Sequence, residues 1–275
     1  MSMKNPDIPI LDDHIHIDPL NGRGIEAAKD FLRAGGTHVC LVTKPSWSWG
    51  IIPHCKADYQ IVYDKTLAVA DNMREIGLTV FVVLGVHPAE ITFFEREPHE
   101  NARIMMEGID AAVDYVLDGK AIALKSGRPH YPVDDTILDL SNQVLTHALV
   151  QSADSCCAVQ IHAESGPCTD IMSMAREVNM DPARVVKHFA VPQSPLTLSL
   201  LARSPEIAAC VREGRFVMME SDYIDENKRP GSVIGPKSVP RFSRRLYEEG
   251  ELTEKDLFII HKLTPEKVYG IEIDL

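Results

Sequence analysis

His14 and His16, two residues apart in the segment IPILDDHIHI, are the first side chains in this sequence whose spacing suits metal chemistry. On an extended strand alternate side chains share a face, so both imidazoles present to the same side. Neutral imidazoles held that way suit a zinc-like cation, which binds histidine nitrogen at about 2.0–2.1 Å. A histidine pair in a core or a loop has the same spacing, so the motif alone does not decide. Further along, Lys125, His162, His188 and Asp222 each stand near the end of an apolar run, as do His87 in GVHP and His130 in GRPHYP. Each of these taken singly also reads as a satisfied core or surface residue. Their recurrence at equivalent places is what points to one shared site.

The elements that must position them are legible as alternation. Runs rich in β-branched and apolar residues at 8–17, 37–43, 78–86, 120–126, 157–163 and 183–189 read as strands, with a weaker seventh at 196–202 and an eighth at 215–221. Helix-favouring segments at 24–35, 63–76, 98–118, 134–153 and 168–179 lie between them. Strand and helix in turn predict a parallel sheet with helical crossovers. Eight strands in 275 residues predict a single α/β domain over 1–275, a (β/α)8 TIM-type barrel with a helical C-terminal extension. An open doubly wound sheet would show a glycine-rich turn after its first strand, and NGRG at 21–24 is too short for one. In a barrel the C-terminal strand ends build the site, and that is where the candidate residues fall.

Composition narrows the partners. With 45% hydrophobic and 25% charged residues the chain reads as an ordered globular protein. A net charge of −12 repels polyanions, which argues against general nucleic-acid affinity and favours a small-molecule or phosphoester substrate. One basic stretch opposes that average: Lys228, Arg229, Lys237, Arg241, Arg244 and Arg245. Its front edge is close enough in sequence to Asp222 to hold phosphate; the alternative is a solvated helix face paired with Glu248 and Glu249. Six scattered cysteines without a C-x-x-C predict reduced thiols and a cytoplasmic location. No secretory pattern begins the sequence and no apolar run reaches the ~18 residues of a membrane span, so no membrane is expected.

Longer motifs then make the pattern recognisable: DDHIHID at the start, GVHPAE at 85–90, GRPHYPV at 127–133, IHAE at 161–164, VKHF at 186–189, MESDYIDENKRPG at 219–231 and TPEKVYGI at 264–271. Together they resemble the TatD-like metal-dependent hydrolases of the amidohydrolase superfamily, in an archaeal-looking branch. The resemblance implies a (β/α)8 barrel with one or two divalent metals, and for characterised bacterial members deoxyribonuclease activity. Matched position by position, it implies His14, His16, His162, His188 and Asp222 as metal ligands. Lys125 departs from the pattern, standing where the family has a bridging glutamate. The phosphotriesterase-like branch of the superfamily has a fourth-strand lysine that reacts with carbon dioxide, giving an anionic carbamate that bridges two metals. Lys125 then implies a binuclear metal site with a carboxylated lysine; an ammonium standing in for one metal, or an alignment offset by one residue, are the other readings.

The expected cofactors are two divalent metal ions, zinc first, with manganese or magnesium also compatible with such donors. Asp222 is the expected general base, and Glu220, two residues earlier on the same face, orients a histidine or pairs with a buried cation. His87 and His130 are expected to bind a substrate oxygen, Arg128 and Lys44 to grip an anionic group, and Trp47 and Trp49 to form a stacking wall or a packed loop anchor. The expected function is metal-dependent hydrolysis of phosphoester or related ester bonds, as in a TatD-like deoxyribonuclease. A lactonase or phosphotriesterase-type hydrolase of small molecules comes second, and a catalytically silent binding protein on the same barrel third.

Overall fold

The computed structural model describes residues 8–229 and 233–274, so the last two residues of MESDYIDENKRPG lie outside the described residues. Strands β1 (Leu11–His16), β2 (His38–Val42), β3 (Thr79–Gly85), β4 (Ala123–Gly127), β5 (Ala158–His162), β6 (Val185–Lys187), β7 (Thr197–Leu201) and β8 (Val217–Glu220) pair in chain order, all parallel. Helices Ile25–Arg33, Lys56–Glu75, Pro98–Leu117, Asp135–Asp154, Thr169–Glu177 and Ile207–Arg212 make six of the crossovers. Between β6 and β7 the described chain crosses without a helix. The second crossover helix begins at Lys56, before the expected 63, and its added first turns bury Tyr59 and Val62 alongside Tyr63.

The ring closes through a ninth strand that the periodicity does not predict. Two residues beyond β8, β9 (Tyr223–Ile224) pairs in parallel with β1, Ile15 against Tyr223 and His16 against Ile224. Ser221 and Asp222 make the step between them: the Ser221 N–H donates to Asp12 Oδ1 at 2.9 Å, and the Asp222 N–H donates to the His14 carbonyl at 3.0 Å. The result is a (β/α)8 TIM-type barrel whose seam lies where the candidate residues of β1 and β8 meet.

Side-chain alternation sorts the strands into two cores. Leu124, Val159, Ile161, Val217 and Met219 face the helices, whereas Ala123, Ala158 and Met218 face the barrel interior. By the same period Lys125, Gln160, His162 and Glu220 point inward. β1 breaks this rule. Leu11 faces inward and Ile15 outward, a change of parity that regular alternation forbids. A register shift between Asp12 and Ile15 supplies the extra residue of a bulge, and this is what turns His14 and His16 into the interior.

Two glycines let adjacent strands approach. Gly85 has φ +153° and a Cβ there would stand 2.0 Å from the Lys125 carbonyl oxygen; Gly127 has φ +149° and a Cβ would stand 1.7 Å from that of His162. Only glycine fits either place, so the strand ends carrying Lys125 and His162 draw close.

The C-terminal extension, Ser238–Glu248 and Glu254–Tyr269, closes the other end of the barrel. Val268, Tyr269 and Ile273 pack with Leu11, Val42 and Met218 as an apolar plug. A π-helical turn, Ile259–Leu263, aims His261 at β1: Nδ1 is 3.1 Å from the Leu11 carbonyl and Nε2 is 2.9 Å from Ser243 Oγ. Burial pushes the His261 pKa down to about 4, so folding excludes a proton that the unfolded chain binds below about 6.5. Its contribution to stability is therefore complete above that pH and is lost as pH falls toward 4. The stability difference between wild type and His261→Gln, measured by urea unfolding, should shrink by about 2–3 kcal/mol between pH 7.5 and 4.5.

Candidate metal centre

At the C-terminal ends of the strands a cavity of about 340 Å³ is lined by His16, His87, His130, His162, His188 and Asp222. The hydrogen bonds beneath it fix the histidine tautomers. The His16 Nδ1 faces the Val42 carbonyl at 2.8 Å, and because a carbonyl only accepts, Nδ1 carries the proton and Nε2 a lone pair. For His14 the same follows from Gln160. The Gln160 amide nitrogen donates to the Asp13 carbonyl at 2.9 Å and to Tyr269 Oη at 2.7 Å, which leaves its oxygen 2.8 Å from His14 Nδ1. His14 Nδ1 is therefore the donor and Nε2 again holds a lone pair. Tyr269 completes the chain by donating to Asp13 Oδ1 at 2.7 Å.

The two Nε2 atoms lie 3.2 Å apart with lone pairs turned toward each other, and Asp222 Oδ1 stands 4.0 Å from His14 Nε2. A shared proton is disfavoured there, because burial first and then the charge of Lys125 hold both imidazoles well below their ordinary pKa. Two neutral nitrogens and a carboxylate, with donor atoms all within 4.8 Å, are a set that a divalent cation satisfies. The residues present fit the metal.

His188 and His162 form a second group. His188 stacks on His14 at 4.1 Å between ring centroids, and its Nε2 is 2.6 Å from His162 Nδ1. The other nitrogen of His162 lies 2.7 Å from His130 Nδ1. Burial keeps both His162 and His188 neutral. His188 Nδ1 is buried without a hydrogen-bond partner, 3.6 Å from Glu220 Oε1. Glu220 itself accepts from the Phe189 N–H at 2.7 Å and from Ser199 Oγ at 2.5 Å, and no lysine or arginine among the described residues forms an ion pair with it. It thus faces His188 rather than a buried cation.

Asp222 occupies the left-handed backbone region, φ +43°, which costs a residue with a Cβ about 1–2 kcal/mol. The kink aims its carboxylate at His14 while its N–H stays on β1. Burial pushes its pKa up to about 7, against the opposing charges of Lys125 and Lys187. Lys125 is 1% exposed and no ion pair or hydrogen bond engages its Nζ among the described residues. Burial lowers its pKa to about 8, although Asp222, Glu220 and Glu90 pull the other way.

Other candidates divide. His87 lines the cavity, and its Nδ1 accepts from the Ala89 N–H at 3.2 Å, so Nε2 bears the proton and can donate to an oxygen. Arg128 is not brought to the cavity: Glu164, through both oxygens, and Asp170, at 2.6 Å, occupy its guanidinium fork. Lys44 lines the cavity but is paired with Asp18 at 2.6 Å, a partner sequence spacing does not suggest. Arg229 also reaches the lining, whereas Lys237 pairs with Asp30 and Arg245 with Glu249. Trp47 forms part of the wall and Trp49 is a buried anchor. The sequence motifs do not single out Gln160 and Tyr269 as site residues. The inward position of Gln160, two residues before His162 in CAVQIHA, was the available signal.

A family model described as TatD-related DNase matches residues 11–270. An uncharacterized protein of Methanocaldococcus jannaschii is 33% identical over 282 residues, covering 98% of each chain. Among solved structures, the TatD homolog YjjV of Escherichia coli superposes with a TM-score of 0.67 at 15% identity, covering 95% of this chain and 98% of that one. The lactonase Lmo2620 of Listeria monocytogenes superposes with a TM-score of 0.63 at 14% identity, covering 95% and 94%.

The hydrogen-bond chain behind His14 has a measurable consequence. Gln160→Met removes the acceptor that fixes the His14 tautomer, and Tyr269→Phe unlocks the amide one step further back. Zinc affinity, read by chelator competition, should fall about 10–100-fold in Gln160→Met and less in Tyr269→Phe. Unchanged affinity with only a lower melting temperature would make the chain a packing feature.

Proposed function

We propose that this chain, which belongs to the TatD-related DNase family and is a metal-dependent hydrolase, cleaves phosphodiester bonds at a centre of two divalent cations, zinc first. The observation that carries this reading is the convergence of the His14 and His16 lone pairs with Asp222. His14, His16 and Asp222 would hold one cation; His162, His188 and Lys125 would hold the other. Bound there, divalent ions supply Lewis acidity toward the phosphoryl oxygen and lower the pKa of water.

The chain's own residues do the rest. Asp222, raised toward neutrality by burial, takes the proton of the attacking water and returns it to the leaving oxygen. His87 donates its Nε2 proton to the charge developing on the substrate, with Arg229 as a cation in the same lining. Glu220 keeps His188 in place. His130, in contact with His162, stands at the mouth where a substrate oxygen enters.

Lys125 supports a carbamate. A lysine whose pKa is lowered to about 8 exposes a usable fraction of free amine near neutral pH. The Nζ lone pair of that neutral amine would add to carbon dioxide with loss of one proton, which turns an uncharged amine into an anionic oxygen donor beside His162 and His188. The same residue favours a second reading, a lactonase or phosphotriesterase-type hydrolase, which oligonucleotide and lactone assays on the same preparation would separate. Cytoplasmic residence fits six free cysteines, and among the described residues no helix is long and apolar enough to cross a membrane.

Asp222→Asn should lower kcat on a phosphodiester by about 10²–10⁴ while the barrel still folds; near-wild-type turnover would remove Asp222 from proton transfer. Lys125→Ala should lose one metal per chain by elemental analysis, with no rescue by bicarbonate and partial rescue by a short carboxylic acid. Isotopically labelled bicarbonate should give the wild type a carbamate carbon resonance that this variant lacks, and its absence from the wild type would leave Lys125 an ammonium.

A further inference from the structure

Phe189 directly follows His188 and has φ +50°, in the left-handed region that a bulky residue with a Cβ seldom adopts. Three successive N–H groups show what holds it there. That of His188 donates to the Ile161 carbonyl on β5 at 3.3 Å, that of Phe189 to Glu220 Oε1 at 2.7 Å, and that of Ala190 to the Ser199 carbonyl on β7 at 3.0 Å. The backbone thus turns from β6 toward β7 at one residue, and the carboxylate that faces His188 also fixes that residue. Glycine would make the same turn without strain, so the turn alone does not account for an aromatic side chain here. Strain kept at such a position is met either by burial or by a function.

Burial does not meet it in full, because Phe189 is 39% exposed. The residue lines two cavities at once, that of the candidate metal centre and a groove of about 370 Å³. Val191, Pro192, Leu201 and Pro205 give the groove apolar walls, and Arg203, exposed to solvent, carries the charge in its lining. Phe189 follows the end of β6 and Leu201 is the last residue of β7, so the groove lies at the same end of the barrel as the metal cavity. A substrate group that enters it from the metal cavity crosses Phe189. Such a group is apolar, since a strongly polar one would give up water and find no replacement on Phe189, Val191 or Pro192. It is best an aromatic ring, because contact between rings adds attraction beyond the area buried. We propose that Phe189 is a specificity-determining residue, which receives an aromatic substituent of the ester or phosphodiester and directs it from the metal centre into this groove. The proposal rests on the reading above in taking the metal centre as the place of the scissile bond.

Phenylphosphonate and methylphosphonate present the same anionic group, differ in the ring, and have no ester bond to cleave. Titrated into the metal-loaded protein and followed by calorimetry, phenylphosphonate should bind wild type more tightly than methylphosphonate, and this preference should fall about tenfold in Phe189→Gly while Phe189→Tyr retains it. Glycine suits the backbone and keeps the N–H that reaches Glu220, so the variant removes the ring and leaves the turn. In turnover, the wild-type preference in kcat/KM for phenyl p-nitrophenyl phosphate over methyl p-nitrophenyl phosphate should fall about tenfold in Phe189→Gly. Equal affinity of wild type for the two phosphonates, a preference that survives in Phe189→Gly, or one lost equally in Phe189→Tyr overturns the assignment even where diesters are hydrolysed. A preference lost in Phe189→Gly and kept in Phe189→Tyr supports it even where no diester is hydrolysed and the functional reading falls.

Discussion

Two imidazole lone pairs held 3.2 Å apart beside the cavity, in a place that a proton does not favour, are the constraint around which this barrel is arranged. Left alone they repel, so folding must supply the force that brings them together. It comes from three sides. The bulge in β1 turns both rings inward, the Val42 carbonyl fixes His16, and Gln160 fixes His14 from across the barrel. Such preorganisation destabilises the empty site and is recovered when a cation enters, which is how metal affinity is built into a fold.

The same geometry joins the two ends of the barrel. Tyr269 belongs to the C-terminal plug, yet its hydroxyl bonds both Gln160 and Asp13, directly behind His14. His261 fastens the neighbouring part of the extension to the start of β1. The extension is therefore tied to the tautomer of His14 as well as to the apolar base of the barrel. A segment that reads in sequence as a well-packed tail has a place in the chemistry through two hydrogen bonds.

Much of this was legible because periodicity is a local property. The eight expected strands all form, and the residues at their ends converge, since apolar alternation and helix-length spacing are written into consecutive residues. What escaped depends on contacts between distant segments. β9 is two residues long and exists only because β1 offers it an edge. The bulge in LDDHIH leaves the sequence pattern unaltered and shows only in how Leu11 and Ile15 pack. Arg128 looked available because its partners, Glu164 and Asp170, are 36 and 42 residues away. Lys44, a candidate for gripping an anionic group, is likewise paired with Asp18, 26 residues away in sequence.

Charge decides what Lys125 can be. In the protein alone it is a buried amine whose charge Asp222, Glu220 and Glu90 favour and which favours the carboxylate of Asp222 in return, while Asp222 and Glu220 repel each other. On the proposed reading, a divalent cation at His14, His16 and Asp222 would change that balance, because it would take over the neutralisation of Asp222 and repel an ammonium at short range where screening is weak. An ammonium that has lost its carboxylate partner to a metal has little reason to stay protonated. Its neutral form would then add carbon dioxide and lose a proton, and an anion at the end of β4 beside two neutral histidines is the donor that the proposed second group lacks. The glutamate of the TatD pattern would bring that negative charge from the start; a lysine makes it depend on burial, carbon dioxide and metal together.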